Sequence, residues 1–340
     1  MAWDVQPRNG IWLPQVGWHL DAHGRVERSF VSHAHSDHIA PHREILCTAA
    51  TARLMRARLG GKRVEHVLPF GAAEALTADT AVTLHPAGHI LGSAQCLLAH
   101  EAHGTLLYTG DFRLRPGPAA ERCATPRADV LIMETTFGLP RYVFPDAAQV
   151  LAEIAAFCAQ AIADGATPVL YAYSLGKSQE LMLGLSDGGL PLMVHPQVAK
   201  LARIYGEFGV ALPPHRAIDP ADCAGHVVIC PPQKGAAPLL AAIPRPRTAA
   251  VTGWALDSGA VYRYQVDAAF PLSDHADFND LLAFVERVGP RVVYTVHGFA
   301  QAFAATLRGR GVEAWALGAD NQLEFRLGPD VAGGPAPAED

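Results

Sequence analysis

The run Ser32-His33-Ala34-His35-Ser36-Asp37-His38 constrains this chain more than any other segment. Three histidines and an aspartate fall within six residues, directly after the apolar stretch Ser29–Val31. Side chains of this kind cannot be buried without partners, because an unpaired polar group costs ~1–3 kcal/mol to desolvate. A polar surface loop would avoid that cost. Yet imidazole and carboxylate, spaced HxHxDH on a tight turn after a strand, are the donor types that suit zinc. The segment therefore predicts a metal-holding turn at a strand end, completed by ligands from elsewhere in the chain.

Two further segments fit that requirement. Pro86-Ala87-Gly88-His89-Ile90-Leu91-Gly92-Ser93 puts one histidine in a Gly-flanked turn between two expected strands. Tyr108-Thr109-Gly110-Asp111-Phe112 ends a strand with an aspartate beside glycine. Alone, His89 reads as a satisfied loop histidine and Asp111 as a turn residue. Taken with HxHxDH, all three segments end strands, which is where α/β folds place sites.

Bulk properties bound the rest. A chain of 340 residues exceeds a single core, so it needs one large domain with an insertion, or two domains. Half the residues are apolar and 18% are charged, as in a soluble globular protein. A net charge of −6 excludes coating nucleic acid by charge alone. It leaves room for a nuclease whose positive field comes from metal and a local basic cleft. The six cysteines form no CxxC pair and read as buried free thiols. MAWDVQPRNG lacks an apolar leader region, and no apolar run reaches the ~18 residues of a membrane span. A cytoplasmic enzyme without membrane contact is the expectation.

Short strand-like runs dominate the first third, with one helix expected over Ala49–Leu59 and a buried strand over Asp129–Met133. After Glu134 the pattern becomes alternating: a long Ala-rich helix from Pro145, a strand over Pro168–Ala172, a helix from Lys177, and further strands and helices to about Thr252. Such alternation predicts a compact parallel α/β unit. From about Tyr262 come a strand, a helix over Phe278–Val288, a strand over Arg291–Val296 and a helix over Phe299–Arg310. The Gly/Pro/Ala-rich end from Gly328 is expected to be disordered.

With these residues in view, the chain resembles the metallo-β-lactamase superfamily. The resemblance implies that His33, His35 and His89 hold one zinc, that Asp37, His38 and the late His297 hold another, and that Asp111 bridges them. Asp21, in His19-Leu20-Asp21, would orient a ligand rather than bind metal. Manganese is the alternative metal, since it accepts similar ligands.

Three more segments resemble the β-CASP nucleases of that superfamily: Glu134 in Ile132-Met133-Glu134-Thr135-Thr136, His275 in Leu272-Ser273-Asp274-His275-Ala276-Asp277, and His297 in Val296-His297-Gly298. The roughly hundred-residue α/β insert between the first two is also similar. The implied fold is α/β: an αββα sandwich carrying an inserted α/β cap domain. Residues 1–139 would form the first part of the core, 140–258 the cap, 259–328 the return of the core, and 329–340 a tail. Within that group, Thr136–Tyr142, Tyr171–Gln179 and Leu272–Phe278 are similar to bacterial DNA-ligase-associated exonucleases.

The resemblance implies hydrolysis of phosphodiester bonds by two-metal activation of hydroxide. The catalytic set would be Asp37, Asp111, His275 as proton donor, and Glu134 holding the His275 ring. Lys177, after Gly176 at a strand-to-helix junction, is a candidate phosphate contact with Ser174 and Arg141. A DNA substrate, a DNA-repair role and functional association with a DNA ligase and a helicase follow from the closest resemblance. His297 is the residue typical of RNA-acting members, so an RNA-processing ribonuclease stands as the alternative. A small-molecule metallo-hydrolase, such as a thioesterase or lactonase, is the reading from another class.

Overall fold

The structure is a computed structural model and describes residues 2–232 and 237–318. The expected tail, and the end of the core's return segment, lie outside the described residues. The described chain divides into two compact units: 2–143 with 275–318, and 144–274.

In the first unit, strands Gln6–Pro7, Ile11–Leu13, Trp18–Leu20, Arg28–Phe30, Glu44–Cys47 and Val64–Val67 form a six-stranded sheet in chain order. The second sheet has seven strands. Ala73–Ala75, Thr80–Pro86, Ala94–His100 and Gly104–Tyr108 run antiparallel in succession, then Val130–Glu134, Val292–Val296 and Glu313–Ala316 add in parallel.

The side-chain period of two builds the layers. Leu106, Tyr108 and Ile132 face inward, where they pack with Leu13, Leu20, Phe30 and Leu46 of the other sheet. Leu107, Leu131 and Met133 face outward, onto helices Phe278–Val288 and Ala300–Gly309. On the far side, Val31, Ile45 and Cys47 pack against Ala52 and Met55 of helix Ala49–Arg58. The layers are therefore helix, sheet, sheet, helix. Caps hold the outer helices: Thr48 accepts from the Thr51 N–H, and Asp277 from the Asp280 N–H. Gly289 closes Phe278–Val288 in the left-handed conformation.

The second unit is a six-stranded, all-parallel sheet. Its spatial order is His215–Ala217, Leu192–Val194, Val227–Cys230, Thr167–Tyr171, Pro246–Val251, Ala268–Phe270. Its strands are near-continuous apolar runs because both faces are covered. One face packs on helices Ala147–Ala163, Lys177–Gly184 and Pro196–Glu207. Val169, Met193, Val228 and Cys230 form a separate cluster with Ile243. The expected boundary at residue 259 falls inside this unit, because Ala268–Phe270 pairs with Pro246–Val251. Among the described residues no helix is long and apolar enough to cross a membrane.

Candidate metal centre

The strands of the first unit deliver their loops to one end. His33 follows Arg28–Phe30, His89 follows Thr80–Pro86, Asp111 follows Gly104–Tyr108, Glu134 ends Val130–Glu134, and His297 follows Val292–Val296. Glu134 and Val296 are direct partners across a parallel pair, so Glu134 and His297 leave the sheet side by side.

His33 Nε2 and His89 Nε2 each lie 3.1 Å from His35 Nδ1. Asp111 Oδ2 stands 3.6 Å from His33 Nε2 and 3.9 Å from His89 Nε2. One donor atom from each of these four residues falls within 4.8 Å of all the others, and all four are buried. The same Asp111 Oδ2 is 3.3 Å from His38 Nε2, which is 3.5 Å from Asp37 Oδ2. The His297 ring sits 5.7 Å from the His38 ring, centroid to centroid. A single oxygen of Asp111 thus stands near His33, His38 and His89 alike. Three imidazole nitrogens turn on one another beside a carboxylate. Such a donor set fits a divalent cation of the zinc or manganese kind.

Neighbouring side chains fix which nitrogen faces inward. Ser32 Oγ is 2.9 Å from His33 Nδ1, leaving Nε2 for the cluster. Asp21 Oδ2 is 2.8 Å from His38 Nδ1 and also accepts from the Tyr108 hydroxyl at 2.8 Å. Its Oδ1 accepts from the Ser32 N–H at 2.7 Å. Asp21 therefore orients His38, and touches none of the inward-facing nitrogens. Asp21 and His297 both adopt left-handed backbone, with φ of 45° and 57°. For a residue with a Cβ this costs ~1–2 kcal/mol, strain of the kind that concentrates at sites. The His89 turn is held by Ser93 Oγ, which accepts from the His89 and Ile90 N–H groups at 3.1 and 3.2 Å.

Two glycines permit the convergence. A Cβ on Gly110 would lie 2.4 Å from Ser32 Cβ, and one on Gly298 would lie 2.4 Å from Thr136 Cα.

Neighbouring charges and burial set the protonation tendencies of the cluster. Burial pushes His33 well below the usual imidazole range, and the neighbouring His38 and His35 push it further. Burial also disfavours charge on His38, but Asp111, Asp37 and Asp21 outweigh it and hold His38 well above that range. Burial would raise Asp111, yet His38 holds its carboxyl well below the usual range.

Beside the cluster, His275 Nδ1 lies 2.9 Å from Glu134 Oε1. Glu134 also accepts from the Phe112 N–H at 3.2 Å and the Thr136 N–H at 3.0 Å. Glu134 is an acceptor throughout, so His275 Nδ1 is the donor to it. Asp111, Glu134 and His275 each place a donor atom within 4.8 Å of the other two.

The candidate phosphate contacts lie in different surroundings. Lys177 is buried in the second unit, with Nζ 3.2 Å from Asp274 Oδ1 and 3.3 Å from Glu180 Oε2. Ser174 is buried there too, and its Oγ has no hydrogen-bond partner among the described residues. Arg141, in the first unit, is exposed and stacks on Tyr142, with its guanidinium carbon 4.7 Å from the ring centre. Ser32, Ser93 and Tyr108 escaped sequence reasoning. Ser32 stood next to His33 in the sequence, but nothing there marked Tyr108 as a partner of Asp21.

Residues 264–317 match the family model described as Zn-dependent metallo-hydrolase RNA specificity domain. A "Probable DNA ligase" of Opitutus terrae is 63% identical over 99% of this chain and 33% of its own length. The 5' exonuclease Apollo of Gallus gallus is 28% identical over 80% of the chain and 59% of its own. The chain is similar to Zn-dependent metallo-hydrolases and to the 5' exonuclease Apollo, as the metallo-β-lactamase and β-CASP resemblance implies. Another similar protein is the DNA cross-link repair 1A protein of Mus musculus, 30% identical over 52% of the chain and 18% of its own length. The chain thus spans a third of the ligase and under two thirds of Apollo. A metal-binding cluster is the common ground between this superfamily and the buried His/Asp group.

Proposed function

We propose that this protein is a metal-dependent nuclease that hydrolyses phosphodiester bonds at the cluster formed by His33, His35, Asp37, His38, His89, Asp111 and His297. The observation that carries the reading is the pairing of a buried imidazole–carboxylate cluster with the Glu134–His275 dyad beside it. Two zinc ions are the proposed complement. His33, His35 and His89 would hold one, Asp37, His38 and His297 the other, with Asp111 shared. When bound, such ions would neutralise phosphate charge and lower the pKa of water.

The chain's own residues supply the rest. Hydrolysis forms a P–O bond to the water oxygen and breaks the bond to the leaving oxygen, which must gain a proton. Glu134 holds His275 by Nδ1, so Nε2 gives that proton. His275 is 19% exposed while Glu134 is fully buried, so the donor meets substrate and its holder does not. Residues 2–143 and 275–318 form the proposed hydrolase core, and the parallel α/β unit the proposed cap.

DNA is the proposed substrate, from the names of the ligase and cross-link repair relatives. Functional association with a DNA ligase is proposed on the first of these. RNA is the second reading, favoured by the RNA specificity description of the matched model and by His297. The deciding experiment incubates the protein with 5′-labelled single- and double-stranded DNA and RNA, with zinc and with manganese. Metal-dependent shortening of DNA is expected, and Asp37→Ala or His89→Ala should abolish it. Turnover of a thioester with every oligonucleotide left intact would sink the nuclease reading.

A further inference from the structure

Arg115 lies four residues beyond Asp111, on the segment that carries Asp111 and Phe112. Its guanidinium grips two carboxylates. Nε donates to Asp280 Oδ2 at 2.9 Å, and a terminal nitrogen donates to Asp277 Oδ2. Asp277 is the N-cap of helix Phe278–Val288, and that task uses its other oxygen, Oδ1, which accepts from the Asp280 N–H at 2.9 Å. Capping therefore accounts for Asp277 without accounting for Arg115. An ion pair whose arginine is 40% exposed adds little stability of its own. What a planar guanidinium does well is fix the geometry of the carboxylates it bridges.

The geometry fixed here is the turn that holds His275. Asp277 is two residues on, and the Ala276 N–H between them donates to the Phe112 carbonyl at 2.7 Å. The Phe112 N–H donates to Glu134 Oε1, the same oxygen that takes the His275 Nδ1–H. Asp111, Phe112 and Arg115 thus form one stretch of chain that presents a cluster carboxylate, braces Glu134, and pins the His275 turn from its far side.

We propose that Arg115 is a positioning residue for His275: by gripping Asp277, it sets where His275 Nε2 stands relative to Asp111. The inference rests on the reading of His275 as proton donor, and the test separates the two. It compares a thymidine oligonucleotide, whose leaving alkoxide needs a proton, with the p-nitrophenyl ester of thymidine 5′-monophosphate, whose phenolate leaves without one. His275→Ala is expected to lose roughly 100-fold in kcat on the oligonucleotide and far less on the ester. Arg115→Met should reproduce that selectivity at about tenfold, with KM and bound metal unchanged. Asp277→Asn keeps a capping oxygen while weakening the ion pair, and should show the same bias; it carries the test if Arg115→Met does not fold. Equal slowing of both substrates, or of neither, by the Arg115 and Asp277 variants overturns the positioning role while the His275 result stands. Equal slowing of both by His275→Ala removes the proton-donor reading and this inference with it.

Discussion

At the scale of single residues, the centre depends on side chains that never face its interior. Asp21 spends its two oxygens on the Ser32 N–H and hydroxyl, His38 Nδ1 and the Tyr108 hydroxyl. Asp21→Asn tolerates the same left-handed backbone but cannot accept on both ends. Zinc affinity, read by chelator competition, should fall by roughly 10–100-fold; unchanged affinity would remove the orienting role. His42 tests a different property. It is buried, its Nδ1 accepts from the Val26 N–H, and burial pushes it down to about 4. The unfolded chain takes up that proton near pH 6.5 and the folded chain only near 4. Above 6.5 there is no penalty, and as pH falls to about 4 the penalty grows to roughly 3 kcal/mol. Urea midpoints should drop less over that window in His42→Asn, whose amide oxygen can still take the Val26 N–H. Parallel slopes would show that His42 carries none of the acid sensitivity.

At the scale of elements, the centre is made by where strands stop. Val130–Glu134 and Val292–Val296 end in register, and the chain then turns sharply at His297 and Gly298. That turn passes so close to Thr135 and Thr136 that a Cβ at Gly298 would overlap the Thr136 backbone. Gly298→Ala meets both a clash and a left-handed φ of 57°, and should cost at least about 2 kcal/mol in a denaturant titration. Because His297 sits on the same turn, activity should fall further than stability accounts for. A fully active, equally stable Gly298→Ala protein would mean the turn relaxes freely.

At the scale of the whole molecule, the two units have separate cores, and every proposed metal ligand belongs to the first. Metal that binds only the folded state stabilises by mass action, roughly 2.7 kcal/mol at a hundredfold excess over Kd. Calorimetry with zinc and then with chelator should therefore move the transition of the sandwich unit and leave that of the parallel unit in place. Equal shifts of both transitions would argue that the metal acts elsewhere or that the units unfold together.

The sequence by itself determined which donor types could gather and which strand ends carry them. HxHxDH followed an apolar run and so read as a turn at a strand end, and His89 and Asp111 stood at other strand ends because apolar runs stop there. It also determined the change from short strand-like runs to alternating strands and helices after Glu134, since helical and strand periods differ. Edge strands such as Val64–Val67 and Ala73–Ala75 were not legible, because exposed strands carry no alternation. Nor was the pairing of Ala268–Phe270 with Pro246–Val251, because three residues hold too little pattern to name a partner. Only the tertiary structure decided which nitrogen of each imidazole turns inward, that Lys177 is tied to Asp274 and Glu180, and that Arg115 reaches Asp277. Those facts depend on contacts between residues far apart in the chain, and local pattern carries no information about them until packing brings them together.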